Sequence, residues 1–61
     1  MKKDDIFYTA FGEYLVLDDV KDGKVPCKRT FSVTGNPIGS IHIYSINDPT
    51  IEGLGKHRKN N

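Results

Sequence analysis

The chain has 61 residues, of which 36% are hydrophobic and 28% charged, and its formal net charge is +1. A single domain of this size buries only about 60% of the surface of its unfolded chain, so the length predicts marginal stability unless a partner or self-association adds to it. The lone cysteine, Cys27, excludes an internal disulfide, and Cys27, His42 and His57 are too scattered to supply the roughly four ligands of a structural zinc site.

No apolar run approaches the roughly 18 residues of a membrane span. The start, Met1-Lys2-Lys3-Asp4-Asp5, lacks the apolar stretch of a signal peptide. The single thiol suits a reducing compartment. The expectation is therefore a cytoplasmic protein with no membrane segment and no cofactor, starting at Met1 as a complete small open reading frame.

Ile6-Phe7-Tyr8-Thr9-Ala10-Phe11 is the first apolar run. As a strand it places Phe7, Thr9 and Phe11 on one face, with Gly12 as a bend into the next element. As a short helix it aligns Phe7, Ala10, Phe11, Tyr14 and Leu15, with Asp4 or Asp5 as an N-cap. Three aromatics in six residues and the following glycine favour the strand.

The segment from Tyr14 to Val33 reads as one hairpin, with strands over about 14–20 and 25–33. Asp22-Gly23 separates two apolar-rich runs, and a two-residue type I′ turn needs positive φ at both of its central positions, which Asp tolerates and Gly accepts freely. If Lys21 faces Lys24, the register puts Val20 opposite Val25, Val16 opposite Arg29 and Tyr14 opposite Phe31. One face then carries Tyr14, Val16, Asp18, Val20, Val25, Cys27, Arg29, Phe31 and Val33 and is the better core candidate. Asp18 and Arg29 become diagonal neighbours on it. Leu15, Leu17, Pro26 and Lys28 fall on the other face. Pro26 has no N–H for a ladder and belongs at an edge or a bulge.

Thr34-Gly35-Asn36-Pro37-Ile38-Gly39 is dense in turn formers. Ser40-Ile41-His42-Ile43-Tyr44-Ser45-Ile46 reads as a further strand over about 40–46, with Ile41 and Ile43 on one side and His42, Tyr44 and Ile46 on the other. Asn47-Asp48-Pro49 ends it. The stretch from Thr50 to Asn61 contains Gly53 and Gly55, lacks apolar periodicity after Leu54 and reads as a tail, ordered at most through Ile51 or Leu54 packing back. Residues 55–61, containing Lys56, His57, Arg58 and Lys59, read as a flexible basic tail. The fold class is thus mostly β: an antiparallel meander of three to four strands in a single domain spanning 1–54.

Little in this pattern carries reaction chemistry. Adjacent aspartates, Asp4-Asp5 and Asp18-Asp19, point to opposite faces of a strand and do not converge on one atom. His42 has no nucleophile placed beside it by the pattern, and Cys27 reads as a small core residue. The run from Gly35 to Gly39 lacks the lysine and Ser/Thr of a phosphate loop.

Charge is unevenly placed. Residues 1–24 hold four basic and six acidic side chains, and residues 25–61 hold five and two. The expected function is a non-enzymatic binding protein that inhibits or modulates a larger protein partner through a sheet face or edge, with a homodimer as a further possibility. Bacteriophages and mobile elements encode many small proteins of this class, an expectation of class that no residue here carries. Leu15, Leu17, Lys28 and Tyr44 are the candidate partner-binding residues in the sheet, with Lys56, Arg58 and Lys59 in the tail. The alternative is a nucleic-acid binder using the basic C-terminal half, with Tyr8, Tyr14, Phe31 and Tyr44 available to stack on bases.

Overall fold

A computed structural model describes residues 1–55. It is all β. Five strands, β1 (Ile6–Thr9), β2 (Gly12–Val16), β3 (Lys24–Ser32), β4 (Ile41–Ser45) and β5 (Ile51–Leu54), form one antiparallel sheet in the order β4-β3-β2-β1-β5. The first aromatic run is the strand, not the helix, and it ends at Thr9, where Ala10 and Phe11 turn the chain into β2. Residues 51–54, expected at most to pack back on the sheet, form its fifth strand against β1.

The sheet is curled. Phe7 on β1 and Tyr44 on β4 lie three strands apart, about 14 Å in a flat sheet. Their ring centroids are nevertheless 5.5 Å apart. Tyr14 sits between them, stacked on Phe7 at 5.2 Å and tilted against Tyr44 at 5.0 Å. Around these rings the concave face buries Thr9, Val16, Val25 and Cys27, with Met1, Val20, Ile46 and Ile51 packed against the cluster.

The hairpin closes as expected at its tip and departs from expectation further down. Asp22 (φ 55°) and Gly23 (φ 73°) both have positive φ, and Lys21 and Lys24 exchange backbone hydrogen bonds of 3.1 and 3.0 Å. Below them, however, Val16 lies opposite Cys27 and Tyr14 opposite Arg29, a slip of two residues from the expected register. The cause is Pro26. Leu17 N–H donates to the Pro26 carbonyl at 2.8 Å, but Pro26 has no N–H to return. Pairing stops there, so β2 ends at Val16 and not at residue 20, and residues 18–20 leave the sheet. Because the slip is even, every side chain keeps its face. Tyr14, Val16, Val25 and Cys27 therefore occupy the core as the sequence implied.

A second irregularity does change a face. Between Tyr14 and Glu13 the register shifts by one, leaving Thr30 as the extra residue of a β-bulge. Phe31 then pairs with Glu13, not with Tyr14, and lies on the convex side at 42% exposure. Val33 is exposed as well, so neither joins the core face assigned to them. Arg29 does not meet Asp18. Its guanidinium lies over the Tyr14 ring, 5.7 Å from the centroid.

The aspartate pairs serve the backbone. Asp5 accepts from the Lys2 N–H and Asp19 from the Lys3 N–H, each at 2.9 Å, tying the N-terminal arm beside the segment that Pro26 releases.

Gly12 has no room for a side chain: a Cβ there would run into the Phe31 carbonyl across the bulge. Gly12→Ala is therefore expected to destabilise the domain by about 1–3 kcal/mol, read as a lower urea midpoint with an unchanged slope. A midpoint equal to that of the parent protein would show that the bulge is not held this tightly.

Candidate functional site

The convex face carries two neighbouring rows of side chains fixed by the register. In the first, Ile6 is opposite Leu15, Leu15 opposite Lys28 and Lys28 opposite Ile41. In the second, Leu17 adjoins Pro26 through the backbone bond already described, and Pro26 is opposite Ile43. Positions two apart along a strand lie on one face about 7 Å apart, so the rows touch. Ile41 and Ile43 are 61% and 68% exposed, while Ile6, Leu15, Leu17, Pro26 and Lys28 are half-buried. Single exposed apolar residues on a surface are ordinary. Here the row residues form a contiguous group across four adjacent strands.

Both rows end on β4, an edge strand. Antiparallel pairing alternates between residues that bond to the neighbouring strand and residues whose backbone points away from it. Arg29 N–H donates to the Ser40 carbonyl at 2.9 Å, and Ile46 N–H donates to the Gly23 carbonyl at 2.8 Å. Counting between these two bonds, His42 and Tyr44 face β3, and Ile41 and Ile43 direct their N–H and C=O groups to the free edge. The residues with exposed apolar side chains are thus the ones with outward-facing backbone.

Of the candidate residues, Leu15, Leu17 and Lys28 are gathered on this face. Tyr44 is not. It lies opposite Val25 and turns inward onto Phe7 and Tyr14, so it belongs with the core and is removed from the surface set. Tyr14 is likewise enclosed, which takes two of the four aromatics away from any base-stacking platform. Lys56, Arg58 and Lys59, with the expected tail flexibility, lie outside the described residues. Ile6, Pro26, Ile41 and Ile43 join Leu15, Leu17 and Lys28 without being marked as site residues by the sequence pattern. Their even spacing on the strands was the available signal, but it acquires meaning only once the strand order is known.

A polar cluster lies at the start of β4. Ser40 Oγ is 2.8 Å from His42 Nε2, and Arg29 Nη1 donates to the Pro37 carbonyl at 3.1 Å and to Ser40 Oγ at 3.4 Å. A nucleophile does therefore stand beside His42, contrary to the sequence reading. Ser40 and His42 are two apart and share a strand face, a spacing visible in the sequence. Among the described residues no carboxylate bonds to His42 to orient the ring as in a hydrolytic triad. A shallow surface cleft lies at the other end of β4, between Gly23, Lys24, Ser45 and Asn47. What the cluster does is fasten the turn after β3 to the sheet.

Among the described residues no group of three His, Cys, Asp or Glu side chains gathers as a metal-ligand set, and no helix is long and apolar enough to cross a membrane. Comparison with protein-family models, with curated proteins and with solved structures finds no match.

Burial also sets the acid–base behaviour. Enclosure pushes the Cys27 thiol up to about 11 from 9.0. Tyr44 is raised as well, by burial first and then by its hydrogen bond with Tyr14. Asp48 is lowered by the hydroxyl and backbone N–H of Thr50. For Cys27 the folded state holds its proton to higher pH than the unfolded chain, so the associated stability is complete below about pH 9 and is lost as pH rises through about 11. The urea midpoint is expected to fall across that window, and less steeply in Cys27→Val. Alkylation of Cys27 in the native protein at neutral pH is expected to be limited by unfolding; labelling as fast as a free thiol would contradict the enclosed position.

Proposed function

We propose that this chain is a non-enzymatic binding module that modulates a larger protein partner through the convex face of its sheet. The observation that supports the reading is the pair of apolar rows from Ile6 and Leu17 to Ile41 and Ile43, whose ends on β4 are mostly exposed among the described residues. The rows supply apolar anchors around one cation, Lys28, the composition of a small recognition patch with a polar element to set orientation. The core is committed to stability, and among the described residues no carboxylate bonds to His42 to orient it beside Ser40, which favours a surface role over a catalytic one. The nucleic-acid reading has less support, because Tyr14 and Tyr44 are engaged in the core.

The test is affinity capture from lysate with the protein and with two variants, Leu17→Asp and Ile43→Asp, whose folding is confirmed by circular dichroism. Each places a charge at one end of the second apolar row and is expected to weaken retention of the captured protein by at least about tenfold. Equal retention by the parent protein and both variants, or no specific retention by the parent, would sink the proposal.

A further inference from the structure

We infer that the free edge of β4 accepts an extended segment of the partner protein as an added strand, and that this segment carries an acidic, an apolar and an acidic residue at successive alternate positions. The inference rests on the protein-binding reading and specifies its chemistry.

The edge is built for strand addition. The N–H and C=O groups of Ile41 and Ile43 point away from β3 and offer a ladder to an incoming backbone. Native sheets usually protect such an edge with a charge, a proline or a bulge. The sequence Ile41-His42-Ile43-Tyr44-Ser45 contains no lysine, arginine, carboxylate or proline, and its register with β3 has no irregularity. The opposite edge is different: β5 carries Glu52 and Gly53 and joins β1 through a bulge.

Side chains beside the edge define the sequence that fits. On the convex face Lys28 stands opposite Ile41, Pro26 opposite Ile43 and Lys24 opposite Ser45. An added strand places three of its residues next to Ile41, Ile43 and Ser45 in the same rows. The middle one meets Ile43 and Pro26, an apolar setting. The outer two lie two strand spacings from Lys28 and Lys24, about 10 Å between backbones, a gap that lysine and glutamate side chains span together. Among the described residues neither lysine forms an ion pair. The order acidic, apolar, acidic reads the same in both directions, so it suits either strand orientation.

A second copy of this chain is a poorer occupant. Pairing β4 with itself about Ile43 would present Ser45, Ile43 and Ile41 to those rows and bring no carboxylate to the lysines of either copy.

The probe is a short synthetic peptide with blocked ends, in which glutamate, valine and glutamate alternate with threonines, titrated into the full chain and followed by NMR. Binding that protects the Ile41 and Ile43 amide protons from exchange and weakens as salt is added is the expected result. Lys24→Glu and Lys28→Glu should each weaken it by about threefold, and the double variant should prefer a peptide with lysines in place of the glutamates. The inference is overturned if the unaltered protein binds the lysine peptide equally well, if it binds neither, or if protection appears on β5. Concentration-dependent dimerisation that protects Ile41 and Ile43 without peptide would assign the edge to a second copy and overturn it too. Loss of the captured protein on Leu17→Asp, together with no peptide binding, would leave the convex-face reading standing while this inference fails.

Discussion

The contact among Phe7, Tyr14 and Tyr44 is the constraint on which the rest of this structure depends. Three rings from β1, β2 and β4 meet within 5.0–5.5 Å, and they do so only because the sheet curls around them. Aromatic pairs of this geometry are worth about 0.5–1.5 kcal/mol each beyond the area they bury. For so short a chain they form a large part of the core, whose other fully buried side chains among the described residues are Val16, Val25, Cys27 and Thr9. The curl also decides what is left over. With the rings gathered on the concave face, Ile41 and Ile43 on the convex face remain mostly exposed.

Which side chains occupy which face is settled by two backbone irregularities of opposite effect. At Pro26 the missing N–H interrupts pairing and shifts the register by two, an even number that leaves the faces unchanged. At Thr30 the bulge shifts it by one, and Phe31 moves to the convex side. The same strand thus tolerates one defect silently and uses the other to reassign a large aromatic. Gly12 makes the second possible, since its backbone lies against the Phe31 carbonyl where no Cβ would fit.

This contrast explains how far the sequence could be read. Asp22-Gly23 identifies the turn, and period-2 alternation around it places Val25, Cys27, Tyr14 and Val16 on the core side, because local turn chemistry and alternation survive an even slip. Leu15, Leu17 and Lys28 are placed on the convex face for the same reason. Phe31 is misplaced because a bulge leaves no local mark as clear as Asp-Gly. Tyr44 was assigned to the correct side of β4, but its burial depends on the curl, a property of all five strands together. Ile51-Glu52-Gly53-Leu54 lacks alternation because it joins β1 through its own irregularity, so its pairing is visible only in three dimensions.

The division of β4 brings these points to bear on function. Its inward residues, His42 and Tyr44, bind it to β3 and to the aromatic contact. Its outward residues, Ile41 and Ile43, extend both the apolar rows and the unpaired backbone edge. Such an edge invites aggregation, and a domain with so few buried residues has little stability to spare for it. Replacing either isoleucine with lysine would protect the edge without touching the core, because both side chains are mostly exposed. A sequence under pressure for stability and solubility alone has that substitution open to it. With two isoleucines where the backbone edge is also unpaired among the described residues, the apolar face and the edge lie within reach of one occupant, the arrangement on which the proposed strand addition rests.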